Sequence, residues 1–123
     1  MLDAESFKAA VGPLLKSHCF KKSGATWRRE QAESIAVFNV QESSWGGGAY
    51  YVNLGVFFRA IGTEVAPTEN RCHVQVRLAV AEPSAVVAQA VFWFDSRSTL
   101  ADARVLAEAD SKRGLVFKEL RSL

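Results

Sequence analysis

Histidine and cysteine stand side by side twice in the chain, as His18-Cys19 and Cys72-His73. Four such side chains are the raw material of a Cys2His2 zinc site. The spacing opposes it. Neighbours along a strand point to opposite faces, so Cys72 and His73 cannot both turn to one ion without distortion. The same geometry disfavours a Cys–His nucleophile and base, and no spacing ties His73 to a remote acid such as Glu69. The sequence holds no G-x-S-x-G elbow, P-loop, Rossmann fingerprint or H-E-x-x-H. Gly46-Gly47-Gly48 is followed by neither a lysine nor a helix start, so it reads as a hairpin turn rather than a phosphate cradle. Catalytic residues, a bound metal and a cofactor are therefore not expected.

What remains is hydrogen-bonding chemistry on extended segments. Tyr50, Val52, Leu54, Val56 and Phe58 alternate with Tyr51, Asn53, Gly55, Phe57 and Arg59. Cys72, Val74, Val76, Leu78 and Val80 alternate in the same way with Arg71, His73, Gln75 and Arg77. The first set of each pair is expected in the core. In a third segment Asn39, Gln41 and Ser43 share parity with Ile35 and Val37, which predicts a bulge or a partly covered end. If these strands are neighbours, Asn39, Gln41, Tyr51, Asn53, His73, Gln75 and Arg77 meet on one face. Solvated faces are usually rich in Lys, Glu and Thr, whereas amides and a phenol suit specific hydrogen bonding. The candidate binding residues are Gln41, Tyr51, Asn53, His73 and Arg77, with Trp45 on the glycine hairpin as an aromatic anchor. Arg77 would offer a fork to a carboxylate or phosphate, and His73 would make the contact pH-dependent below about 6.5. The competing reading is structural, with Asn53 and Arg77 bonding to each other across the strands.

These residues need a scaffold, and the hydrophobic periodicity supplies one. Asp3–His18 reads as an amphipathic helix capped by Asp3 and kinked at Gly12-Pro13. Ala25–Glu30, Ser34–Ser43, Ala49–Ala60 and Arg71–Val80 read as strands, joined by connectors short enough for an antiparallel meander. Val86–Phe94 fits either a strand or a buried connector. Thr99-Leu100-Ala101-Asp102 fits a capping box, Lys112 and Arg113 a last helical turn, and Gly114 its C′ position. Leu115–Leu120 would add a short helix or strand. The expected fold is α+β, an antiparallel sheet of four or five strands with N- and C-terminal helices packed on one face, in a single domain spanning 1–123. Its core is expected from Phe7, Val11, Leu14, Leu15, Val52, Leu54, Val56, Val74, Val76 and Leu78.

Composition excludes other classes. With 49% hydrophobic residues and a net charge of +2, the chain is not disordered. No apolar run approaches the ~20 residues of a membrane span. The acidic start carries no long apolar stretch of a leader, so a cytoplasmic protein without membrane partners is expected. Lys16, Lys21, Lys22, Arg28 and Arg29 surround Trp27, but Glu30 and Glu33 dilute them, and nucleic acid is not the expected partner.

Phe20-Lys21-Lys22, then Thr26-Trp27-Arg28-Arg29, Asn39-Val40-Gln41-Glu42-Ser43, Tyr50-Tyr51-Val52-Asn53-Leu54-Gly55-Val56 and Cys72-His73-Val74-Gln75-Val76-Arg77-Leu78 follow one another in order. This arrangement resembles the bacterial family called domain of unknown function 4304. The match runs from Phe7 to Arg77 and more loosely into the C-terminal helix. The family commonly has glycine before Phe-Lys-Lys. Cys19 stands there here, which puts that left-handed helix cap in doubt and argues against a role for the thiol. The resemblance implies a small single-domain protein and supplies no catalytic residues. The functional expectation is a non-catalytic protein-interaction module using this polar and aromatic sheet face, with a toxin-neutralising immunity protein as one form of it by analogy to other small α+β proteins. The alternatives are a small-ligand or nucleic-acid binding domain, or a hydrolase-type enzyme with an unrecognised site; the oligomeric state is left open.

Overall fold

A computed structural model describes residues 2–45 and 47–121. Asp3 accepts the Ser6 N–H at 2.8 Å and opens α1 (Ala4–Ser17). Phe7, Val11 and Leu15 are fully buried along one side of this helix, which continues through Pro13 as one element. At its end the left-handed cap that Cys19 put in doubt is formed. The Phe20 N–H reaches the Leu15 carbonyl at 3.1 Å and the Cys19 N–H reaches that of Lys16 at 3.0 Å, the paired bonds of a Schellman motif. Cys19 takes the left-handed conformation this requires, with φ at 70°. Burial of Phe20 against Phe94 helps to hold the chain there. A side chain in that region costs about 1–2 kcal/mol, and glycine gives part of this back as unfolded-state entropy. Cys19→Gly should therefore stabilise the protein by about 0.5–1 kcal/mol, seen as a raised urea midpoint; a lowered midpoint would show that the cap is unstrained.

Six strands follow, β1 (Lys21–Ser23), β2 (Thr26–Glu30), β3 (Ser34–Glu42), β4 (Tyr50–Phe58), β5 (Val74–Leu78) and β6 (Gly114–Val116). They lie side by side in chain order, each antiparallel to its neighbour. The meander is as expected, with one or two strands more than the periodicity indicated. The additions are the three-residue edges β1 and β6, too short to display alternation.

Between β5 and β6 run α2 (Pro83–Asp95) and α3 (Leu100–Ser111), and α4 (Lys118–Arg121) closes the chain. The segment that fitted a strand or a connector is thus helical. Glu82 caps it by accepting the Ser84 and Ala85 N–H groups, Pro83 starts it, and Val86, Val87, Ala90 and Phe94 are buried. Its outer side also carries Phe92, which is 76% exposed; apolar residues all round erased the period that would have announced the helix. Thr99 caps α3 as expected, accepting the Asp102 N–H at 3.2 Å. Gly114 is not the C′ residue of α3. It begins β6 opposite Val76, where a Cβ would stand 1.9 Å from the Gln75 carbonyl oxygen. Leu115–Leu120 yields both a strand end and a short helix.

The helices pack on one face of the sheet. Phe7, Val11, Leu15, Val86, Ala90, Phe94, Ala103 and Leu120 close over Trp27, Phe38, Val52, Leu54, Val56 and Val74. Leu14, Val76 and Leu78, expected in the core, lie partly buried at its margin. On the opposite face the β4–β5 connection, with 3₁₀ turns at Arg59–Ile61 and Glu69–Arg71, folds back over half the sheet. It covers a second cluster of Ile35, Val37, Phe57 and Cys72, the covered end that the mixed parity of β3 predicted.

Candidate functional site

The half of the outer face that stays open is built by register. Thr26, Asn39, Asn53 and Arg77 stand directly opposite one another across β2, β3, β4 and β5, and Gln41 faces Tyr51. Side chains so placed are within bonding reach. Asn39 Nδ2 donates to Thr26 Oγ1 at 3.1 Å. Asn53 Nδ2 donates to Asn39 Oδ1 at 3.2 Å and to Gln41 Oε1 at 2.9 Å. Arg77 Nε donates to Asn53 Oδ1 at 3.1 Å, and its Nη2 to Gln41 Oε1 at 3.4 Å. The guanidinium lies 4.1 Å from the centre of the Tyr51 ring. Asn53 is almost wholly buried beneath this layer, while Gln41 and Arg77 are exposed.

Four of the six expected residues, Gln41, Tyr51, Asn53 and Arg77, are thus brought together. Trp45 stands apart on the β3–β4 hairpin, 95% exposed. His73 is not on this face. Regular pairing of β5 begins only at Val74, because the His73 N–H already bonds to the Val56 carbonyl at 2.9 Å as the chain leaves the 3₁₀ turn. The strict alternation read through Cys72 and His73 is broken there. Cys72 belongs to the outer cluster rather than the main core, packed against Gly55, where a Cβ would meet it at 2.7 Å. The room left by Gly55 is taken by the protein's own covering segment. Burial pushes the Cys72 thiol far above its ordinary range, the opposite of an activated nucleophile.

His73 is 4% exposed among Phe57, Phe58 and Phe117, and its Nδ1 accepts the Phe58 N–H at 3.0 Å. Burial holds its pKa below the usual value, against the opposing pull of the Ile61 carbonyl, Glu119 and Glu64. Protonation would also set an N–H against the Phe58 N–H. The neutral form is the folded form, so this contribution to stability is complete above about pH 6.5 and is lost as pH falls through the lower folded value. Denaturation midpoints measured between pH 7.5 and 5 should fall over that window. His73→Phe should flatten the slope; an unchanged slope would place the titration elsewhere.

Two charged residues that sequence patterning did not bring to this face complete it. Glu69, from the 3₁₀ turn, and Arg113, from the α3–β6 link, line a shallow recess of about 260 Å³ with Asn53, Gln75, Arg77 and Leu115. Burial raises the Glu69 carboxyl, and the Arg77 charge partly offsets this. Neither residue lies in an alternating segment, so no pattern could announce it. The basic residues around Trp27, by contrast, are dispersed by alternation. Arg28 turns outward to the Pro67 carbonyl at 2.8 Å, while Arg29 turns inward to Asp95 at 2.6 Å.

Among the described residues no three His, Cys, Asp or Glu side chains are grouped to hold a metal, and no helix is long and apolar enough to cross a membrane. No curated protein and no solved structure matches the chain. A family model described as Domain of unknown function (DUF4304) does match it, over residues 11–110, and the chain belongs to that family.

Proposed function

We propose that this protein is a non-catalytic interaction module whose working surface is the open half of the outer sheet face, with Gln41, Tyr51 and Arg77 as contacts and Trp45 as an anchor at the hairpin end. The observation that carries this reading is the state of Arg77. It is exposed, yet held by Asn53, by Gln41 and by the Tyr51 ring. A side chain already fixed loses little rotamer freedom on binding, which is how a contact surface is preorganised. Asn53 serves from beneath as a positioning residue. The same bonds also join strands, and the two roles separate in a variant.

Benzoylphenylalanine at position 41 should photo-cross-link a protein partner in the native host, whereas the same group at Val105 on α3 should not. Arg77→Ala should abolish the position-41 cross-link while costing about 1 kcal/mol of stability, because only two bonds are lost and removing the exposed guanidinium lets water reach the Asn53 Oδ1 it covered. A variant that melts many degrees lower and still cross-links would assign Arg77 to the sheet alone.

A further inference from the structure

Among the described residues, five basic side chains have a carboxylate within ion-pair distance, namely Lys8, Arg29, Arg59, Arg71 and Arg97. Arg77 and Arg113 are not among them, and both line the recess of about 260 Å³ beside Asn53 and Gln75. The facing charge there is Glu69, which forms no ion pair within 4.0 Å among the described residues. Two guanidinium groups against one carboxylate leave the recess with an excess of positive charge. Exposed at its rim is Leu115, 53% accessible on the edge strand.

From this we infer that the recess binds one carboxylate of an acidic segment on a protein partner, received by Arg77 and Arg113. The inference rests on the reading of this face as the working surface and names the chemistry of what it meets. Of the five N–H donors of a guanidinium, Arg77 spends Nε on Asn53 and one on Nη2 on Gln41. The Nη1 end keeps both of its donors and Nη2 keeps one, an end-on fork that matches two carboxylate oxygens. Arg113 supplies a second charge across the recess. The volume admits one acidic side chain and is small for a nucleotide or a cofactor. Glu69 adds selectivity: a dianionic phosphate would be repelled by it more than a singly charged carboxylate. Leu115 gives the apolar part of the same segment a place to rest.

The test is an NMR titration of the full chain, following the Nε–H signals of Arg77 and Arg113 and the Asn53 side-chain amide. The probes are a hexaglutamate peptide, a hexaglutamine peptide and inorganic phosphate. Hexaglutamate should move all three signals saturably, hexaglutamine should not, and phosphate should bind more weakly. Because Arg77 also joins strands, the deciding variants are Arg113→Ala and Glu69→Gln, which leave the Asn39–Asn53–Gln41–Arg77 network whole. Arg113→Ala should weaken hexaglutamate binding about fivefold, and Glu69→Gln should strengthen it about threefold. Equal binding of hexaglutamine would overturn the carboxylate assignment while leaving the surface reading intact. Tighter binding of phosphate, or shifts confined to Lys21, Lys22 and Arg28, would also overturn it. Absence of any shift would do the same, and the surface reading would then stand or fall on the position-41 cross-link alone.

Discussion

Replacing Arg97 by alanine is expected to cost about 3–5 kcal/mol, the largest effect of any single polar substitution in this fold. Arg97 leaves the end of α2 and meets Asp110 of α3 with Nε at 2.8 Å and Nη2 at 2.7 Å, while its Nη1 donates to the Trp93 carbonyl at 2.9 Å. Both side chains are 9% exposed, and the guanidinium lies 4.4 Å from the centre of the Trp93 ring. A bidentate pair so enclosed holds α2 and α3 at one angle. Removing the arginine leaves the Asp110 carboxylate buried without its partner, and that orphaned charge accounts for most of the loss. The loss should therefore shrink when both partners go. Urea denaturation should show that Arg97→Leu combined with Asp110→Leu costs far less than the two alanine variants added together. An Arg97→Ala variant within about 1 kcal/mol of the wild type would mean that water reaches the pair and solvates Asp110.

Gly114→Ala should be nearly as damaging, by about 3 kcal/mol or more, although it adds one methyl group at an exposed position. The added Cβ would stand 1.9 Å from the Gln75 carbonyl oxygen and 3.1 Å from the Val76 Cα, both backbone atoms that cannot rotate away. Relief requires β6 to leave β5. The chain beyond would follow, including the Phe117 N–H bonded to the His73 carbonyl at 2.8 Å and the fully buried Leu120. Exposing Leu120 alone forfeits about 2–3 kcal/mol. Hydrogen exchange should show fast amides in 114–120, with β3 and β4 still protected at mild denaturant. Leu115→Ala, one residue on and exposed, should change stability by less than about 0.5 kcal/mol. A Gly114→Ala protein with normal protection in this segment would mean that β6 can shift along β5 without loss.

How far the sequence could be read depended on whether a residue's neighbours were local. Alternation in Tyr50–Phe58 and Ser34–Glu42 determined which side chains share a face, because a regular strand turns each residue by half a turn whatever surrounds it. Hence the meander, the core of Val52, Leu54 and Val56, and the meeting of Gln41, Tyr51, Asn53 and Arg77 were all legible. The caps at Asp3 and Thr99 were legible for the same reason, since each bonds within three residues. Tertiary structure decided wherever backbone partners lie far along the chain. The covering segment bonds His73 to Val56 and Phe58, which ended the alternation just before β5 and took the histidine and Cys72 out of their expected places. Gly114 looked like a helix cap because its role is set by Gln75, a residue on another strand. Cys19 looked like a poor cap because the bonds and the Phe20 packing that hold it in the left-handed region outweigh its local preference. Glu69 reaches the recess beside Arg77 from a 3₁₀ turn too short to show a period, and Arg113, read as the last turn of a helix, reaches it from the link beyond α3, which ends at Ser111. Local geometry repeats and can be counted along the chain, whereas closure of a covering loop or an edge strand depends on contacts that exist only once the sheet has formed.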